Sequence, residues 1–301
     1  MCQVGCRLLM DLPADGAWNM ALDELLLVWA ERTGQPIFRI YQWMPATLSL
    51  GYFQRWQDRF RHPASLSCPM VRRPSGGGAI LHDQELTYCM ALPYCLLPTG
   101  DPSSLYGFVH ETLLEVFTDW GFKARLWQCP CAVSPLRDEA SDRPDRCGMV
   151  ESGPVPTSSD APEISPETLF PKGSGPLETT RLGGEPFLCF QRRSRWDVVA
   201  DAPEGMEVKL AGSAQRRSRA ALLQHGSILL ARSPASPELP GLAELLGRPV
   251  QPAELAQVWL ARLAERLPWA WQADSLTPQE RAEAHRLVQT KYGTDSWNLR
   301  R

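Results

Sequence analysis

Apolar residues recur along the first third of the chain at two different periods, and the change of period marks the change of element. Trp18, Leu22, Leu25, Leu26 and Trp29 fall at helical spacing, and Gly34 just beyond supplies a stop signal. Residues 37–53 instead gather β-branched and aromatic side chains into two short runs split by a turn around Pro45, which predicts paired strands, and residues 87–92 predict another strand. The helical period returns at Leu105, Phe108, Val109, Leu113, Val116, Phe117 and Trp120, closed by Gly121 where a left-handed cap is preferred. Later apolar runs at 196–199, 207–211 and 220–230 predict strands of the same sheet. Near the C-terminus Leu255, Trp259, Leu263 and Leu267 predict a helix stopped by Pro268. Thr277-Pro278-Gln279-Glu280 then opens the next, with a capping Thr, a first-turn Pro and a Glu three residues on. This alternation of element types predicts an α/β (α+β) fold and excludes a helix bundle.

Between the two halves the pattern stops. Of the 53 residues 132–184, 8 are Pro, 6 Gly and 7 Ser, and no apolar period is sustained, which predicts a disordered insertion. The expected organisation is a catalytic domain over 1–231 carrying the insertion 132–184. A helical C-terminal segment, 232–301, follows the break at Ser233-Pro234-Ala235-Ser236-Pro237 and packs on the same domain.

Composition narrows the function classes. The chain has 301 residues, 31 basic against 34 acidic, a net charge of −3, and 44% hydrophobic residues, as expected of a globular protein that can bury a sizeable core. The longest uncharged stretch, 86–100, is 15 residues and is broken by Pro93 and Pro98, too short for the roughly 20 apolar residues of a membrane helix. No secretory signal precedes the first charges, so the cytoplasm is the expected compartment and the nine cysteines are expected to be mostly reduced and buried. The near-neutral balance argues against nucleic acid. The clusters at Arg192, Arg193 and Arg195 and at Arg216, Arg217 and Arg219 read as solvated faces. A monomer is the default expectation.

Chemistry concentrates in three places. Arg72-Arg73-Pro74-Ser75-Gly76-Gly77-Gly78 runs on to His82-Asp83; three consecutive glycines let backbone amides approach a ligand oxygen, and the two arginines add positive potential, although a glycine run also serves as a flexible turn. Lys209-Leu210-Ala211-Gly212-Ser213-Ala214-Gln215 lies on an expected strand, with His225-Gly226 following. Lys209 there reads either as an ammonium reaching a cleft or as an edge-strand lysine, and His225 as a core histidine or a catalytic one. Cys189 sits between Leu188 and Phe190, a place for a small hydrophobe, but Arg192, Arg193 and Arg195 close behind favour a thiolate. Cys129, Cys131 and Cys147 lack a fourth ligand, so no metal is expected.

Together these segments resemble the biotin/lipoate protein ligase superfamily over nearly the whole chain outside the insertion. Residues 72–83 are similar to its R-R-x-[ST]-G-G-G-x-x-x-H-D signature, and Lys209 to Gln215 with His225-Gly226 to its K-x-x-G-S-A-Q and H-G partner. Asn19-Met20-Ala21-Leu22-Asp23-Glu24 and Thr47-Leu48-Ser49-Leu50-Gly51 with Gln54 also fit. The resemblance implies a mixed β-sheet flanked by helices, with an acyl chain held in a tunnel. It implies substrate contacts from Arg72, Arg73, Ser75, Gly76, Gly77, Gly78, His82, Gly212, Ser213 and Ala214.

Two chemistries share that scaffold. Lipoate–protein ligases activate lipoate with ATP; ligase-like octanoyltransferases take octanoyl from acyl carrier protein through a cysteine thioester and pass it to a lysine. The second group carries its cysteine in a C-F-x-x-P-S-x-[YW] context, and Cys189, Phe190, Ser194 and Trp196 keep that pattern, with Arg193 where Pro is usual. Glu85-Leu86-Thr87-Tyr88 and Lys291-Tyr292-Gly293 to Trp297 are also closer to the octanoyltransferases. The resemblance therefore implies an octanoyltransferase with Cys189 as nucleophile and Lys209 as neutral base or stabilising cation, the Gly76 to Gly78 amides as oxyanion donors, and no cofactor. The implied partners are octanoyl-acyl carrier protein and, as acceptor, a lipoyl domain or glycine-cleavage H protein. The alternatives are an ATP-dependent ligase, in which Lys209 faces the adenylate phosphate and Cys189 is a bystander, and a non-catalytic binder of lipoyl domains or acyl groups.

Overall fold

Side-chain alternation builds the sheet from its centre outward. In the computed structural model, which describes residues 4–98, 100–128, 185–202 and 205–301, strand Glu85–Pro93 turns Leu86, Tyr88, Met90 and Leu92 to one face and Cys89 and Ala91 to the other. Numbered along the chain, the strands are β1 (Gly5–Met10), β2 (Ile37–Tyr41), β3 (Thr47–Leu50), β4 (Met70–Arg72), β5 (Ile80–His82), β6 (Glu85–Pro93), β7 (Arg125–Leu126), β8 (Val198–Asp201), β9 (Glu207–Arg217), β10 (Ala221–Leu229) and β11 (Ala270–Asp274). The helices are α1 (Gly16–Thr33), α2 (Ser104–Asp119), α3 (Leu242–Leu246), α4 (Pro252–Arg266), α5 (Pro278–Leu287) and α6 (Asp295–Asn298). Eight strands form a mixed sheet in the order β11-β1-β2-β6-β10-β9-β8-β7, parallel at β11-β1-β2 and antiparallel across the rest. A smaller sheet has the order β4-β3-β5.

Helices cover both faces of the large sheet. α1 and α5 close one apolar core, and α2 and α4 close the other. The second core is locked by Trp259 of α4, which is wholly buried, packs edge-on against Phe38 and Tyr88, and donates its indole N–H to Thr112 Oγ1 of α2 at 2.8 Å. The helix ends follow their residues: Gly34 takes φ +70° beyond α1, and Thr277 and Glu280 complete a reciprocal capping box on α5. Among the described residues, no helix is long and apolar enough to cross a membrane.

Several expectations are corrected. The runs within 37–53 form strands but not a pair: β2 lies between β1 and β6, while β3 is central to the small sheet. Leu48 and Leu50 of β3 have their own apolar partners in Cys68, Ala79, Phe187 and Leu188, so the small sheet carries a separate core. The C-terminal segment is not wholly helical, because β11 adds a parallel edge to the main sheet beside β1. An edge strand buried on one side leaves only a weak pattern, and most of β11 is exposed. Lys209 does not sit on an edge, since β9 runs between β10 and β8. The expected insertion, 132–184, and Cys129, Cys131 and Cys147 lie outside the described residues.

The C-terminal tail reaches back to the strand that carries the glycine loop. Asn298 Oδ1 accepts the Arg72 amide at 2.8 Å, Asn298 Nδ2 donates to Tyr292 O at 2.8 Å, and Trp297 Nε1 donates to Arg72 O at 2.8 Å. Replacing Asn298 with Ala leaves buried backbone groups unpaired, an expected loss of about 2 kcal/mol, measurable by urea denaturation.

Candidate active site

The glycine loop is held open by an arginine beneath it. Arg73 is buried and donates Nη2 to Gly76 O and Gly78 O, both at 2.7 Å, and Nη1 to Ser49 O and Oγ. Because the peptide is trans, turning the Gly76 carbonyl toward Arg73 turns the Gly77 N–H away from it. Gly77 adopts φ +95°, and a Cβ on Gly51 would stand 2.0 Å from Gly77 O, so both positions need glycine. Burial pulls the Arg73 guanidinium down to about 10, with Cys189 pulling it back up and Arg192 lowering it further, so Arg73 stays charged in the neutral range.

Cys189 reaches this loop through the backbone. Ala79, directly after the glycines, donates its N–H to Phe187 O at 3.0 Å and accepts from the Cys189 amide at 2.7 Å. A Cβ on Gly78 would lie 3.1 Å from Cys189 Cα, so glycine allows the close approach. The sulfur lies 3.6 Å from Lys209 Nζ on β9. Lys209 is buried and ion-paired at 2.8 Å with Asp197 Oδ2, which also accepts the Ser194 amide at 2.7 Å. Gly212 makes room for the lysine, since its Cβ would stand 2.4 Å from Lys209 Cε. Sequence reasoning missed Asp197, whose one signal is its place directly after the aromatic of the cysteine motif. Trp196 before it adopts φ +77°, a conformation that costs a bulky residue about 1–3 kcal/mol. The expected help from Arg193 goes elsewhere: its guanidinium pairs with Glu207 and with backbone carbonyls.

These groups face a cleft of about 620 Å³, open mouth included. Met20, Tyr41, Trp43, Ile80 and Phe190 give it apolar wall, and of the residues singled out in the sequence Arg73, Gly76, Gly77, His82, Cys189, Lys209, Gly212, Ser213, Ala214, His225 and Gly226 line it. Arg72, Ser75 and Gly78 do not. Arg72 is wholly buried and donates to the carbonyls of Gly51, Tyr52, Gln54 and Asn298, which makes it a support of the loop's strand rather than a ligand contact. Ser75 is spent on His225, 2.5 Å from its Nε2, while His225 Nδ1 lies 2.8 Å from Asp23 Oδ2. The order is that of a serine hydrolase triad, but Ser75 is 1% exposed and off the cleft, so the arrangement anchors the glycine loop.

Polar groups behind the cleft are densely paired. Burial alone would raise Asp23, yet the bond to His225, the charge of Arg39 and the Tyr41 hydroxyl hold it below the usual carboxylate range. His82 pairs with Glu85 at 2.6 Å and Ser49 at 2.7 Å and stacks on Trp43; burial, against the pull of Glu85, keeps it below its ordinary 6.5. His110 of α2, which sequence reasoning passed over, lies 2.7 Å from Ser213 Oγ on the cleft wall and is also lowered by burial.

Comparison with known proteins agrees with this geometry. Residues 15–138 match the profile of the lipoyl protein ligase A/B catalytic domain. The octanoyltransferase LipM of Symbiobacterium thermophilum is 32% identical over 95% of both chains, and that of Kyrpidia tusciae 30% identical over 98% of both. The chain belongs to the LipM octanoyltransferase family. It is an enzyme, an acyltransferase of lipoate biosynthesis. LipM of Bacillus subtilis is 28% identical over 96% of this chain. The LipM-family chain also shares its fold with protein Ta0514 of T. acidophilum, solved with lipoic acid, at a TM-score of 0.65 and 17% identity over 98% of this chain and 100% of that one. Lipoate-protein ligase A bound with ATP gives 0.64 and 17% over 98% and 99%.

Gly212→Ala is expected to displace the flexible end of Lys209 while leaving the fold intact, lowering turnover about tenfold or more with little change in melting temperature. Buried His82 and His110 bind protons more weakly folded than unfolded, so the stability they contribute is present above about pH 6.5 and is lost as pH falls toward their folded values. Melting temperature followed by circular dichroism from about pH 7.5 to about pH 5 should therefore drop below about pH 6.5.

Proposed function

We propose that the chain moves octanoyl, in the cytoplasm, from the thioester of an acyl carrier protein to a lysine of a lipoyl domain or glycine-cleavage H protein, by way of a thioester on Cys189. The observation that carries this reading is the 3.6 Å contact between the Cys189 sulfur and Lys209 Nζ at the glycine loop of an apolar cleft. The thiolate is the nucleophilic form of cysteine, and an ammonium beside the sulfur stabilises the negative charge it carries. The Asp197 carboxylate supports the ammonium role for Lys209 over the neutral-base role.

The thiolate attacks the carbonyl carbon of the donor thioester. A new carbon–sulfur bond forms, the old one breaks, and the carrier leaves as a thiolate that takes a proton from the medium. The acceptor's neutral amine then attacks the Cys189 thioester; a carbon–nitrogen bond forms, Cys189 leaves as thiolate, and the nitrogen sheds a proton to solvent. The first exchange is nearly even in free energy and the second runs downhill from thioester to amide, so neither needs ATP. Arg73 and the Gly77 amide supply positive potential for the transient oxyanion. His82, Gly76, Gly212, Ser213 and Ala214 form the acyl-chain wall. In the ligase reading Cys189 would be a bystander, which its contact with Lys209 argues against.

Incubation with octanoyl-acyl carrier protein without ATP should add one octanoyl group to the wild type, seen by intact-mass spectrometry, labile to hydroxylamine and absent from Cys189→Ser. ATP-dependent acylation of a lipoyl domain that survives Cys189→Ser would overturn the proposal.

A further inference from the structure

A lysine that must present its ammonium to a sulfur has four rotatable bonds to fix, and Asp197 is the counter-charge that holds its end. Lys209 Nζ is 2.8 Å from Asp197 Oδ2 and 3.6 Å from Cys189 Sγ. Asp197 is itself fastened: its carboxylate accepts the Ser194 amide at 2.7 Å and its own amide donates to Ser194 O at 3.0 Å, closing the turn 194–197. That turn depends on Trp196 at φ +77°. Two residues of α2 hold it there. His110 Nδ1 donates to Trp196 O at 2.6 Å, and Gly107, one helical turn earlier, leaves space for the indole, since a Cβ on it would come within 2.7 Å of the ring. Trp127 adds backbone bonds on either side, donating to Asp197 O and accepting from the Trp196 amide.

The hydrogen bonds behind His110 have one consistent direction. Its Nδ1 must carry a proton, because a carbonyl only accepts; neutral His110 then accepts at Nε2 from the Ser213 hydroxyl, Ser213 accepts from Tyr88 OH, and Tyr88 accepts from Gln224 Nε2. This chain crosses the sheet beneath the cleft and fixes the imidazole that fixes Trp196.

We propose that Asp197 is a positioning residue for Lys209, held in place by the Gly107–His110 clamp on Trp196, and that it sets the rate of Cys189 acylation. The proposal rests on the thioester reading given above. Cys189 and Asp197 flank Lys209, His110 and Tyr106 of α2 lie within electrostatic reach of Asp197, and Arg73 within reach of Cys189 from beneath the glycine loop. Glu207, on β9 with Lys209, is engaged by Arg193 and Arg125. Without the Asp197 carboxylate the lysine loses its anchor, so the ammonium is misplaced relative to the Cys189 sulfur.

Single-turnover acylation of the full chain by octanoyl-acyl carrier protein, followed by intact mass at a series of donor concentrations, tests this. Asp197→Asn should slow acylation by about 100-fold with half-saturating donor concentration changed less than about twofold. Asp197→Glu should restore part of the rate. His110→Gln, which leaves Cys189, Lys209 and Asp197 in place, should give a smaller loss of rate with half-saturating donor concentration again little changed, and it decides the matter together with Asp197→Glu if Asp197→Asn does not fold. A folded Asp197→Asn acylated at the wild-type rate overturns the proposal while leaving the thioester reading intact. A wild type that takes no acyl group yet modifies a lipoyl domain overturns both.

Discussion

At Ala79 two stretches of chain far apart in sequence are joined by a short parallel bridge, with the Ala79 amide bonded to Phe187 O and the Cys189 amide bonded to Ala79 O. Backbone groups in such a place must be paired, so the register of this bridge is not free to slip, and it fixes the Cys189 backbone against Gly78. From there the sulfur's distance to Lys209 follows, because β9 is itself locked between β10 and β8. The rest of the site works to keep that bridge where it is. Arg73 braces the glycine loop from below, Arg72 and the C-terminal tail brace the strand before it, and Phe187 and Leu188 sink into the small sheet's core.

The electrostatics of the site are set by which buried charges have counter-charges. Arg39 and Asp23 neutralise each other within a hydrogen-bond network that also includes Asp11, Asn19 and Tyr41, so their burial costs little net free energy. Lys209 is likewise paired with Asp197. Arg73 differs, having carbonyl and hydroxyl partners but no carboxylate among the described residues, and a buried cation without a counter-ion leaves positive potential in the space beside it. That space holds Cys189. Negative charge that develops on the sulfur, or on the oxygen of a tetrahedral intermediate, meets an environment already arranged for it, which is the condition under which such stabilisation is strongest.

Much of the scaffold was legible in the residues. The apolar stripes of α1, α2 and α4, the capping box of α5 and the glycines after α1 and α2 are local signals, and local physics decided them. Strand pairing was not legible in the same way. β2 and β3 are adjacent in sequence yet belong to different sheets, and β1 and β11 pair across almost the whole chain, because a strand's partner is chosen by which apolar faces share a core. The two arginines of the glycine motif look alike in sequence and have different tasks, since consecutive residues of an extended chain point to opposite sides: Arg73 reaches the cleft and Arg72 the C-terminal tail.

The sequence by itself determined the residue types for chemistry, namely a cysteine, a lysine and a glycine loop, together with the helices and most of the strands that carry them. Only the tertiary structure decided that Asp197 pairs with Lys209, that His110 holds Trp196 in a left-handed turn, and that Ser75 faces His225 instead of the cleft. Propensity and periodicity act over a few neighbouring residues, whereas a buried polar group takes whichever partner the packed core brings within about 3 Å, and that partner has no fixed offset along the chain.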